Sequence, residues 1–167
     1  MTGTSTRHFV VMRHGKAEPS ASSDHERELT ARGRADSRAA GTWLAAEGLS
    51  PDVVLVSSAA RARSTCDEVC AALTGDIDVQ MLDSLYGADE YDVIATCVDE
   101  IPAGARCALV IGHNPTMAMT AALLQPEGDR QDLSLPTAAL VVLAIAPPWA
   151  ELKPGCGSLL QVHTPHD

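Results

Sequence analysis

Three places in this sequence gather basic and imidazole side chains: Arg13-His14-Gly15, Arg61, and Gly112-His113-Asn114-Pro115. Arginine stays charged and presents forked N–H donors, which suit the oxygens of a tetrahedral phosphoryl group. Imidazole adds a nitrogen that is neutral near pH 7 and able to act as a nucleophile. Brought together, these side chains could hold a phosphoryl group by its oxygens and accept it on nitrogen. Gly15 would let the backbone pass close to phosphate, or take a turn that larger residues disfavour. Lys16 and Asn114 stand in the same two stretches and could either touch phosphate or point outward. A carboxylic acid to protonate a leaving group is harder to place. Glu90 is the candidate carried forward, with Asp83 and Asp89 beside it, and each suits helix capping or a solvated surface equally well.

The elements that must position these residues can be read from periodicity. His8 to Met12 is a short apolar run that suits a buried strand, and the polar stretch Arg13 to Leu29 follows as a loop. Thr30 is an N-cap for a helix in which Ala35, Ala39, Trp43 and Ala46 recur at helical spacing, until Gly48 stops it. Asp52 to Val56 is a β-branched strand leading into an alanine-rich helix, with Ser57 or Ser58 available as its cap. A weaker strand near Ile77 to Leu82, a helix from about Ala88 to Val98 and a strong strand from Cys107 to Ile111 continue the alternation. A fourth helix starts near Pro115, where a missing N–H is tolerated. Ala138 to Ile145 and Leu159 to Val162 are two strands joined by a Pro- and Gly-rich turn, forming an antiparallel edge.

The pattern predicts an α/β fold with one domain spanning residues 1–167 and a core from about 8 to 163. Its mostly parallel central sheet would carry helices on both faces. In such a sheet, ligands bind beyond the carboxyl ends of the strands, and the basic and imidazole residues fall at three of those ends.

These stretches resemble the histidine phosphatase (phosphoglycerate mutase-like) superfamily, and within it the SixA-type phosphohistidine phosphatases. VMRHGKAE is similar to the family's RHG segment, and LTARGRADSRAAG to the L-T-x-x-G helix that follows it. VSSAARARST resembles the S-x-x-x-R-A-x-x-T pattern, VIGHNPTM the G-H-N-P element, and LPTAALVVL with PGCGSLLQV the C-terminal strands. The likeness runs from about Phe9 to Val162. It implies that His14 is the nucleophile that receives the phosphoryl group and that Arg13, Arg61 and His113 hold its oxygens. Arg27, in DHERELT, resembles a D-x-x-R-x-L-T pattern, where pairing with Asp24 would brace the loop. Arg63 falls on another side of its helix from Arg61, as a surface residue. His8, His25, His163 and His166 match no element and read as bystanders.

Composition bounds the rest. With 167 residues, 46% of them hydrophobic, the chain can bury one core, and with only 3% aromatic residues that core must be aliphatic, with Phe9, Trp43 and Trp149 as isolated large fillers. Twelve basic against 22 acidic side chains give a net charge of −10, which disfavours nucleic acid and anionic membranes as partners. The amino-terminal stretch lacks the apolar region of a signal peptide, and no run is long enough to span a bilayer, so a cytoplasmic protein is expected. The five cysteines read as reduced thiols. None is followed by arginine six positions later, and no GxxxxGK loop occurs, which removes two other phosphate chemistries. No metal and no cofactor are expected, because no carboxylate accompanies His14 or His113 at ligand spacing.

The functional expectation is a phosphatase that moves a phosphoryl group from a substrate to His14 and then to water. Too few residues lie between the second helix and the strand ending at Gly112 for a large lid, which favours phosphohistidine on a protein. The alternatives are a phosphomonoesterase for a small phosphorylated metabolite and a catalytically silent phosphate-binding module.

Overall fold

Val10, Val11 and Met12 are almost wholly buried, as are the β-branched residues of DVVLV and the run from Ala108 to Ile111. Such unbroken apolar runs are stable only as strands covered on both faces. They form β1 (Arg7–Arg13), β2 (Val53–Ser57) and β4 (Cys107–Gly112). The computed structural model describes residues 6–131 and 133–165; residues 1–5 of the amino-terminal stretch and His166 lie outside the described residues.

With β3 (Asp78–Leu82), β5 (Leu140–Ile145) and β6 (Gly157–His163), these strands make a six-stranded sheet in the order β3-β2-β4-β1-β5-β6. The first four run parallel, while β5 pairs antiparallel with both β1 and β6. Strand alternation sends Val10, Met12, Val54, Leu109 and Ile111 to one face, where they meet α1 (Ala31–Ala46) and α2 (Ala60–Ala71). Phe9, Val11, Leu55, Ala108 and Val110 go to the other, against α3 (Glu90–Glu100) and α4 (Thr116–Leu124). The α/β domain with helices on both faces and an antiparallel carboxyl-terminal edge is as expected.

Several local expectations need correction. Trp43 of α1 is half-buried and packs against the core as expected, but Ala35, Ala39 and Ala46 are exposed and do not form the helix's core face. Gly33, Asp36, Ser37, Ala40, Gly41 and Leu44 do. Alanine periodicity misled because the buried face was chosen by small size and polar links rather than by hydrophobicity. Ser57 and Ser58 are not the N-cap of α2; Ala59 is, without a side-chain cap. Strand β5 begins two residues later than expected, because Ala138 adopts a left-handed φ of 64° and belongs to the preceding turn. Phe9 and Trp149 are not isolated fillers, since their rings meet edge to face at 5.8 Å.

Thr30 caps α1 by accepting from the Gly33 N–H at 2.9 Å, and Gly48 ends the helix region with a φ of 70°. The helix is pressed against the loop after β1. A Cβ on Gly33 would stand 2.1 Å from the Lys16 carbonyl oxygen, and one on Gly15 2.7 Å from the Gly33 carbonyl oxygen. Gly15 is therefore required by a close backbone approach to α1 rather than by an unusual turn.

Gly33→Ala should consequently shift the loop that carries His14. Overpacking of this kind is expected to lower stability by about 1–3 kcal/mol, read as a lower urea midpoint at unchanged m-value. Gly104→Ala, with nothing within 4 Å of its new Cβ, is the control and should stay within about 0.5 kcal/mol. Equal midpoints for the two variants would show that the contact is not tight.

Candidate active site

The carboxyl ends of β1, β2 and β4 open onto a cavity of about 290 Å³. Its lining includes Arg13, His14, Arg61 and His113, so the four residues singled out in the sequence converge. Lys16 and Asn114 also line it, joined by Ala17, Arg27 and Thr137.

His14 is 93% withdrawn from solvent by its position just past β1, being only 7% exposed. Its main chain is tied to both neighbouring strands: its N–H donates to the Gly112 carbonyl at 3.0 Å, and its carbonyl accepts from Ala138 N–H at 3.0 Å. The imidazole Nδ1 sits 2.7 Å from the Gly15 carbonyl oxygen. A carbonyl only accepts, so Nδ1 carries the proton and Nε2 keeps a free lone pair. Gly15 N–H in turn donates to Thr65 Oγ1 at 2.9 Å, and the Thr65 hydroxyl donates to the Arg61 carbonyl at 2.7 Å. The loop after β1 is thus fastened to the first turns of α2.

His113, after β4, lies with its ring centroid 5.2 Å from that of His14. Its Nε2 is 2.8 Å from Ser57 Oγ, so the serine expected to cap α2 instead contacts a cavity imidazole. Arg13 Nη1 donates to the Leu135 carbonyl at 3.1 Å, and Arg61 Nη1 to the Asp24 carbonyl at 2.7 Å. Arg13 Nε, Arg61 Nε and His113 Nδ1 are buried without a hydrogen-bond partner. Unpaired buried polar groups are unfavourable and uncommon, and these three belong to side chains that line one cavity.

Burial pushes His14 down to about 3, reinforced by His113, Arg61 and Arg13, while the hydrogen bond to Gly15 opposes the shift. His113 is lowered to about 4, again by burial first and then by Arg61. Both rings are therefore neutral at pH 7, which is the state a nitrogen nucleophile needs. Burial also lowers Arg13.

Other expected residues are placed less simply. The Asn114 amide donates to the Leu135 carbonyl at 2.9 Å and accepts from Ala118 N–H at 3.3 Å, so it braces the start of α4. Pro115 is the N-cap of that helix, joined to Asn114 by a cis peptide. Asp89 caps α3 in a reciprocal capping box with Asp92, Asp83 is exposed, and Glu90 is half-buried at the start of α3. None of these acids lines the cavity, and its lining among the described residues contains no carboxylate. Arg63 lies away from the cavity as expected, but half-buried beside Cys66 and Met81 rather than solvated. Arg27 pairs with Asp24 at 3.1 Å as expected, and it lines the cavity too. His25 is no bystander: its Nε2 contacts Ser58 Oγ at 2.9 Å, and its ring meets Tyr86 at 4.8 Å. His163 stacks on Trp43 at 4.4 Å, far from this chemistry. Tyr86 escaped the sequence reading because a lone exposed tyrosine in a turn gives no periodic signal.

The neutral rings make a pH prediction. The unfolded chain protonates both histidines near the ordinary value of 6.5, whereas the folded chain does so only near 3 and 4. The stability they lend is complete above about pH 6.5 and declines as pH falls below it. Ring-nitrogen NMR should find both imidazoles neutral at pH 5.5, with midpoints that rise when an oxyanion such as tungstate is added. Free-protein midpoints near 6.5 would contradict the burial argument.

Residues 9–93 match the histidine phosphatase superfamily (branch 1). A protein of Mycobacterium tuberculosis is 36% identical over 163 residues, covering 92% of this chain and 99% of its own length. Phosphohistidine phosphatase SixA of Escherichia coli is 32% identical over 117 residues, covering 70% of this chain and 73% of its own. Among solved structures, one assigned as the phosphohistidine phosphatase SixA of Nakamurella multipartitia superposes with a TM-score of 0.85 at 32% identity, covering 96% of each chain. The cavity with its paired imidazoles and guanidiniums is thus set in a SixA-like fold, and the chain belongs to the histidine phosphatase superfamily as a phosphatase.

Proposed function

We propose that this phosphatase removes the phosphoryl group from phosphohistidine on a protein, through a phospho-His14 intermediate. The observation that carries the reading is a cavity lined by two neutral imidazoles and cationic side chains, with no carboxylate in the lining among the described residues. An alkoxide leaving group needs a proton from a placed acid, whereas an imidazole leaves readily once solvent protonates its nitrogen. The relatives named for phosphohistidine phosphatase activity support the same choice.

In the first step the Nε2 lone pair of His14 attacks phosphorus while Arg13, Arg61 and His113 meet the equatorial oxygens. The new N–P bond forms as the substrate N–P bond breaks, and the departing imidazole takes a proton from water. Catalysis of this kind consists of in-line positioning and charge stabilisation, which fixed donors provide. Water then attacks phospho-His14, releasing inorganic phosphate and restoring the neutral ring. No metal and no cofactor are required by either step. A cytoplasmic setting fits the five free cysteines, and the net charge of −10 disfavours a polyanionic partner.

His14→Ala should abolish turnover and phosphoenzyme formation, and the wild-type phosphoenzyme should be acid-labile and base-stable, as a phosphoramidate is. Arg61→Ala should lower kcat/KM by about 100- to 1000-fold, the usual consequence of losing one oxyanion donor. A panel comparing a phosphohistidine protein with small phosphate esters should favour the protein by at least about tenfold in kcat/KM. Preference for a small ester would identify the enzyme as a metabolite phosphomonoesterase, and phosphopeptide binding without phosphate release would identify a silent binding module.

A further inference from the structure

Arg61 does not hold its own position. Its side chain is only 7% exposed, at the start of α2, yet the carboxylate that steadies it comes from Asp24, in the loop between β1 and α1. Arg61 Nη1 donates to the Asp24 carbonyl at 2.7 Å, and Nη2 donates to Asp24 Oδ2 at 3.1 Å. Main chain and side chain of one residue thus grip the outer edge of the guanidinium, leaving Nε and the second hydrogen on each terminal nitrogen for another acceptor.

Asp24 is itself held from two more directions. Tyr86 donates its hydroxyl to Asp24 Oδ2 at 2.6 Å, and Arg27 Nε donates to Oδ1 at 3.1 Å. The Tyr86 ring is set between two imidazoles, edge-on to His25 at 4.8 Å and to His113 at 5.6 Å. A continuous set of contacts therefore joins two groups that line the cavity: His113 to Tyr86, Tyr86 to Asp24, and Asp24 to Arg61.

We propose that Asp24, clamped by Tyr86, is a positioning residue that aims Arg61 at the equatorial oxygens of the transferring phosphoryl group. Asp24 is not the missing acid. The Tyr86 hydrogen bond, and after it the Arg61 hydrogen bond, hold its carboxyl down to about 2, so it carries no proton to give at neutral pH. Nor does it act as an attracting charge, because a carboxylate beside the cavity repels a phosphoryl dianion. Charge and aim thus have opposite signs here, and a substitution separates them. Removing the negative charge strengthens ground-state binding of an oxyanion; losing the aim weakens stabilisation of the transition state.

The inference rests on the phosphate-holding role proposed above for Arg61, and the test keeps the two apart. In the intact chain, Asp24→Asn should lower kcat about tenfold while inhibition by inorganic phosphate stays equal or tightens. Tyr86→Phe should lower kcat by a smaller factor in the same direction. In an Arg61→Ala background, Asp24→Asn should change kcat by less than about twofold, because the group it aims is gone. A tenfold loss that persists in that background, or unchanged kcat in Asp24→Asn alone, overturns the positioning role. Arg61→Ala with wild-type activity would instead remove the role of Arg61 itself. Urea midpoints of the single variants guard against misfolding. Should Asp24→Asn unfold, Tyr86→Phe carries the same cycle: a loss of kcat that vanishes in the Arg61→Ala background supports the positioning role, and one that persists there, or no loss at all, overturns it.

Discussion

The main chain at His14 and Gly15 is held from every side, and the chemistry of the cavity depends on that grip. β4 accepts the His14 N–H, the turn before β5 donates to its carbonyl, and α2 accepts the Gly15 N–H through Thr65. The fourth side is a contact of backbone on backbone, with Gly15 against the Gly33 carbonyl of α1. Only after these four attachments does the Gly15 carbonyl stand where it can fix the His14 tautomer. A nucleophile on a surface loop would lose rotational freedom at the moment of reaction; in the role proposed for His14, that freedom is already removed during folding. Both glycines and the threonine thus fix the His14 imidazole in place, although none of them needs to touch substrate.

The same burial sets the electrostatics. Withdrawing two imidazoles from water lowers both, and the neighbouring guanidiniums push in the same direction. Neutrality of His14 is therefore over-determined rather than finely balanced. The guanidiniums, which cannot shed their protons near neutral pH, keep the cavity positive in a chain whose net charge is −10. At physiological ionic strength, screening acts over about 8 Å, so the local arginines outweigh the distant acidic surface once a phosphoryl group is in the cavity.

How much of this was legible in the sequence follows from what each residue depends on. Arg13, His14 and His113 sit at or just after the ends of apolar runs, and Arg61 follows the end of β2 by four residues in the first turn of α2, so the strand pattern delivers all four to one edge of a parallel sheet. The face of α1 was not legible, because Gly33, Ser37 and Gly41 are chosen for backbone proximity, which leaves no hydrophobic period. Nor was the role of Ser57, since a serine at the end of a strand suits a helix cap and an imidazole contact equally well. Asp24 was visible only as a partner for Arg27, three residues away; its links to Arg61 and Tyr86 span 37 and 62 residues, and no local pattern encodes them. Glu90 looked eligible because a carboxylate at a helix start is plausible both as a cap and as an acid. In the fold Asp89 takes the cap and neither residue lines the cavity.

The lack of a carboxylate in the lining among the described residues and the placement of Asp24 bear on one another. A protonated acid among Arg13, Arg61 and two neutral imidazoles would be driven toward ionisation by the cations, just as the Tyr86 hydroxyl and then Arg61 hold the Asp24 carboxyl down. Keeping such an acid protonated near pH 7 would require an apolar recess away from the guanidiniums, and the carboxylates at the start of α3 are exposed or half-buried instead. A cationic environment suited to phosphate is thus a poor one for a general acid. A leaving group that draws its proton from water needs no such acid, and that is the condition the proposed phosphohistidine substrate meets.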